Sequence, residues 1–137
     1  MAKTARTPFN SSRYKLTRVS SSRQLGNSVF GDVVLVQTGD DDAIELSVSI
    51  LDNGGYFKIL VKDDATQDIT ITMPASSISG VVVYDVGGGA QLVEVSSQTS
   101  ITLPTNTVAG SYLDFICDGE KWYVSGMAYG ATVSTSA

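Results

Sequence analysis

The sequence predicts an all-β fold: an antiparallel β-sandwich, jelly-roll-like sheet pair or small barrel, preceded by an extended N-terminal arm. Three observations point there. Short β-branched apolar runs recur at intervals of about 8 to 15 residues from Val29 onward. Gly, Asp, Asn and Ser separate them, the residues that tolerate turn backbone. No segment keeps the apolar period of a helix.

Taken in order, "VFGDVVLVQTG" reads as a strand stopped by "GDDD". "AIELSVSIL" alternates, with Ile44, Leu46, Val48 and Ile50 on one face and Glu45, Ser47 and Ser49 on the other, the pattern of a half-buried strand. "DNGG" at 52–55 predicts a tight hairpin from which "YFKILVK" returns, and 63–68 make a polar turn. "DITITMP" alternates again and ends at Pro74, which has no N–H for a ladder. "GVVVYDV" and "AQLVEV" pair around the glycines at 87–89; "TSITLP" and "YLDFIC" follow; Asp118 and Gly119 turn the last hairpin into "KWYVSG". The expectation is about nine strands. Residues 29–130 would form the β-domain, with 1–28 as a basic arm and 131–137 as a flexible tail.

A phrase recurs inside this domain. Residues 71–74 (ITMP) match 101–104 (ITLP), each copy following an apolar strand and a glycine-rich turn. One reading is two equivalent hairpin units; the other is coincidence, since strands favour Ile and Thr anyway. Two copies fall short of the three or more that a solenoid needs.

Charge divides the chain more sharply than its total of −5 suggests. Residues 1–28 hold Lys3, Arg6, Arg13, Lys15, Arg18 and Arg23 and no acid, leaving −11 on the remainder. The first stretch is rich in Ser, Thr and Arg and too poor in apolar residues to offset its own ordering entropy, with one short strand conceivable at 14–19. No apolar run approaches the ~18 residues of a membrane helix, and no apolar segment follows the first bases as in a secretory signal.

Reactive chemistry is sparse. Histidine is absent, which removes the commonest general base and metal ligand. Cys117, the one cysteine, cannot close an intrachain disulfide and lies in phase with Leu113 and Phe115, as a buried apolar residue would. The "GGG" turn lacks the Lys-[ST] of a phosphate loop. Asp40, Asp41, Asp42 and Glu45 gather acids without the alternate spacing of a calcium loop, so a solvated turn is expected there. Trp122, Tyr123 and Tyr129 suit either a sugar groove or a core, and Trp122, in phase with Val124, is assigned to the core. The expectation is therefore no catalytic residue, metal, cofactor or small-molecule substrate.

The succession of I-T-[LM]-P, a polar loop with glycine, an apolar strand, a second I-T-L-P and a closing "CDGEKWYV" resembles structural β-modules of tailed bacteriophage virions, found in capsid-decoration and fibre proteins. It rests on 71–74, 101–104, Gly110, Asp118, Gly119 and Trp122. The resemblance implies a non-enzymatic virion protein, made in the host cytoplasm. It would sit on the capsid exterior as a decoration or cement protein, with the major capsid protein and copies of itself, as dimer or trimer, for partners. The alternative it leaves open is a tail-fibre or receptor-binding module for host-surface glycans.

The arm itself admits several readings: a transit peptide, a nucleic-acid tail, a solubilising tail, or an assembly arm. Repulsion between the −11 remainder and a polyanion argues against nucleic acid. The assembly reading makes Arg6, Phe9, Arg13, Tyr14, Lys15, Leu16, Arg18 and Arg23 the partner-binding residues, the bases lying over an acidic neighbour and Phe9, Tyr14 and Leu16 adding apolar contact.

Overall fold

A computed structural model describes residues 14–39 and 42–137. Twelve strands occur among them: β1 (Leu16–Val19), β2 (Arg23–Gln24), β3 (Val33–Val36), β4 (Ile44–Ser47), β5 (Tyr56–Val61), β6 (Ile69–Thr72), β7 (Ile78–Asp85), β8 (Ala90–Gln98), β9 (Ser100–Leu103), β10 (Tyr112–Cys117), β11 (Trp122–Tyr129) and β12 (Ser134–Ser136). They form two sheets, of seven strands in the order β1-β3-β5-β10-β11-β7-β8 and of five in the order β12-β9-β6-β4-β2. The all-β, sandwich-like class is as expected; neither sheet closes into a barrel.

The pairing departs from the antiparallel expectation. β1, β3 and β5 pair in parallel in one sheet and β2, β4 and β6 in parallel in the other, so each early strand lies beside the strand two along in sequence. The chain thus winds back and forth between sheets like a short coil. Antiparallel pairing comes with the later strands, in β5 with β10, β7 with β8, β10 with β11, β6 with β9 and β9 with β12, while β7 and β11 pair in parallel. Both sheets are mixed. The "DNGG" turn is accordingly no hairpin: β4 before it and β5 after it lie in different sheets. Period-two alternation reports which face a strand buries, not which strand lies beside it.

Crossing from the five-stranded to the seven-stranded sheet uses one device five times. At 29–32, 52–55, 74–77, 104–107 and 108–111 the fourth residue's N–H bonds the first residue's carbonyl, at 2.8 to 3.1 Å. The third residue has positive φ in each: Gly31, Gly54, Ser76, Asn106 and Gly110. This is the signature of a type II turn. The fourth residue enters the interior. Asp32, Ser77, Thr107 and Ser111 are all the buried polar residues among those described, and Gly55 completes the set because a Cβ there would lie 2.9 Å from the Phe30 ring. Each polar group has a partner: the hydroxyls of Ser77 and Thr107 donate to the carbonyls of Pro74 and Pro104 at 2.6 Å, Ser111 Oγ accepts from Tyr129 N–H at 3.1 Å, and Asp32 Oδ2 accepts from Thr17 Oγ1 at 2.9 Å. The repeated phrase is therefore a pair of equivalent sheet crossings, and its two strands are neighbours, Ile71 facing Ile101.

Between the sheets the core is aliphatic around an aromatic cluster in which Phe57 stacks on Phe115 and meets Trp122 edge-on at 5.4 Å. Trp122 is fully buried, as its phase predicts, and its indole N–H donates to the Ile50 carbonyl at 3.0 Å. Cys117 is buried too.

Two expected boundaries move. The segment assigned to a free arm joins the sheets from Leu16 onward, with Val19 and Leu25 in the core, because coil-like pairing gives each short strand a ready edge. At the other end, 131–137 is not a loose tail: Ala131 and Val133 are buried and β12 pairs with β9.

Two measurements check this arrangement. Leu25→Ala is expected to lower unfolding free energy by about 2–5 kcal/mol, where a free arm would give no change. Thr107→Val removes the hydroxyl bond while the Pro104 carbonyl keeps its backbone donor, so chemical denaturation is expected to show a loss of about 1 kcal/mol.

Candidate interaction surface

The outward faces of the two sheets differ in chemistry. On the five-stranded sheet the outward positions are Glu45, Ser47, Thr70, Thr72, Ser100 and Thr102, and Thr70 and Thr102 share a hydrogen bond at 3.0 Å. On the seven-stranded sheet they are largely apolar. Register places Leu35, Leu60, Tyr112, Met127, Val83 and Leu92 side by side in one row across six adjacent strands, with Arg18 ending the row on β1. A flanking row carries Tyr56, Ile116 and Tyr123.

Exposure shows that this band is open. Of the ten exposed large hydrophobic residues among those described, seven lie on outward positions of this sheet: Leu16, Val81, Leu92, Ile116, Tyr123, Met127 and Tyr129, with Leu92 at 70% and Met127 at 53%. Scattered exposed apolar residues are ordinary on a monomer, whereas a contiguous band marks a surface that meets something.

Polar groups on the band are mostly paired within it. Asp114 accepts from the Tyr56 hydroxyl at 3.0 Å and lies 3.8 Å from Lys58 Nζ, which itself sits 4.8 Å from the centre of the Tyr112 ring. Beside them Tyr56, Asp114, Ile116, Tyr123 and Ser125 line a depression of about 330 Å³. Burial, and then the bond to Asp114, pushes the Tyr56 hydroxyl up to about 12. At the hairpin tip Asp118 accepts from the N–H groups of Lys121 and Glu120, both at 2.8 Å, and from the Tyr123 hydroxyl at 3.0 Å. Those backbone donors hold the Asp118 carboxyl below its ordinary value, and Asp118 in turn raises Tyr123.

The sequence-predicted arm residues are only partly brought together. Leu16 and Arg18 lie on β1 at the edge of the seven-stranded sheet, and Lys15 lies 3.8 Å from buried Asp32. Arg23 sits on β2 at the edge of the other sheet, and Tyr14 is exposed ahead of β1. Arg6, Phe9 and Arg13 lie outside the described residues, as do Asp40 and Asp41 of the acidic turn. Among the described residues no three Asp, Glu or Cys side chains group as metal ligands. Sequence reading passed over the band, although a signal existed: "YFKIL", "YLDFIC" and "WYVSGMAY" carry large apolar residues at both parities, where "AIELS" and "TITM" carry them at one.

Comparison with protein-family models, curated proteins and solved structures returned no match.

The tyrosine shift has a checkable sign. The folded state holds the Tyr56 proton more tightly than the unfolded chain, so this contribution to stability is complete below the ordinary value of 10.0 and fades as pH rises toward about 12. Absorbance titration of phenolate is expected to show a last, late step that Tyr56→Phe abolishes. Asp118 has the opposite sign: its contribution is present above 3.8 and lost as pH falls through the lowered folded value.

Proposed function

We propose that this chain is a non-enzymatic virion structural protein of the tailed-phage kind, binding the capsid exterior as a decoration or cement protein. The observation that carries the reading is the contrast between the two sheet faces: hydroxyl-bearing on the five-stranded sheet, and apolar across six strands of the seven-stranded one. Such a contrast suits a building block with one face in water and one against protein.

The sequence resemblance supplies the virion setting. The basic stretch at 1–28 supplies a second contact, since its leading bases and Lys15 suit an acidic surface on a shell subunit. The mechanism is linkage: a subunit that binds only the assembled shell lowers that state's free energy, and weak contacts multiplied by symmetry accumulate.

A glycan-binding fibre module is the second reading. Its support is the depression in which Tyr56 and Tyr123 flank Ile116 beside Asp114, aromatic faces with a carboxylate acceptor.

On the first reading, the protein co-sediments with purified capsids, and neutralising Arg6, Arg13 and Lys15 together weakens retention most at low salt. Protein left at the top of the gradient defeats the capsid reading. Binding on a glycan array that Tyr123→Ala abolishes would transfer support to the fibre reading.

A further inference from the structure

We propose that the apolar face of the seven-stranded sheet pairs with the same face of a second copy in an isologous dimer, the two-fold axis running along β10. The inference rests on the assembly reading above and names one partner for that face.

The order of strands and the placement of charge select this geometry. β10 is the fourth of seven strands, so a half-turn about it lays β1 of one copy over β8 of the other and the apolar row over itself. At the β1 end Arg18 and Lys62, with Leu35 and Gln37, line a depression of about 250 Å³. At the β8 end Glu94, with Val81 and Leu92, lines another of about 570 Å³. Among the described residues neither Arg18 nor Glu94 has an ion-pair partner, while Lys58 and Asp114 near the middle satisfy each other. The half-turn about β10 keeps each residue's level along the strands, so at both sides of the dimer Leu92 comes opposite Arg18 and Glu94 comes opposite Leu16, about 7 Å along the strand from Arg18, a diagonal that these two long side chains span. An axis laid across the strands would instead stack β1 on β1, cation against cation, which opposes association. Leu92, the most exposed large apolar side chain among the described residues, is then covered at the β1 end of the second copy.

Sedimentation velocity of the full chain, without capsids, tests this between about 1 and 100 µM, the range over which moderate dimers dissociate. The expected result is a concentration-dependent dimer. Met127→Glu is expected to give a monomer with unchanged circular dichroism. Arg18→Glu and Glu94→Arg each weaken the dimer by about tenfold or more, and the two together restore it, a recovery that general surface damage does not produce. A wild-type monomer at the highest concentration overturns the proposal, as does a Met127→Glu dimer or a double variant no tighter than its singles. Capsid sedimentation of the same preparations separates the two claims: a monomer that still binds capsids overturns the dimer alone, and a dimer that ignores capsids overturns only the capsid reading.

Discussion

A chain that changes sheets with almost every strand must carry its backbone through the edge of the core again and again, and each passage removes polar groups from water. Every buried N–H and carbonyl there needs a partner. The four-residue turn solves this locally, closing its own ring and offering its fourth side chain to the interior. Where that residue is Ser or Thr after proline, the hydroxyl returns to the proline carbonyl, so one acceptor serves two donors. No buried polar side-chain atom is left unsatisfied among the described residues.

Much of this was legible in the sequence, and the failures have a common cause. The identity of the nine strands β3 to β11, the inward phase of Trp122 and Cys117, and the Asp118–Gly119 hairpin all follow from local rules of alternation and turn chemistry, whereas β2 and β12 are too short and polar to show a pattern. Neighbour choice does not. The "DNGG" turn has hairpin composition, yet Gly54 and Gly55 serve a crossing in which one supplies positive φ and the other makes room for Phe30. Glycine fits both uses, so composition alone does not separate them. The repeat of ITMP and ITLP carried more information than its strand residues suggested, because "PASS" and "PTNT" end in the hydroxyls that close the crossings.

The apolar band escaped notice for a related reason. A core-facing residue and an outward apolar residue look alike in one dimension, and only register separates Leu60 from Ile59 or Met127 from Ala128. The charge asymmetry was plain in composition, but its meaning changed once β1 and β2 took their places. Arg18 and Arg23, five residues apart in sequence, belong to different sheets, so these two bases lie at two separate edges.

The position of β10 and β11 also governs the order in which the chain can complete itself. β5 and β7 flank the hairpin, and the seven-stranded sheet is joined only through it. During synthesis the first six strands can stack as they emerge, each on a neighbour already made, while β7 and β8 pair as a separate ribbon. Until the segment ending at Tyr129 leaves the ribosome, that sheet cannot be continuous. The hairpin also carries Phe115 and Trp122 of the aromatic cluster, so the strands that join the sheet are the ones that complete this part of the core.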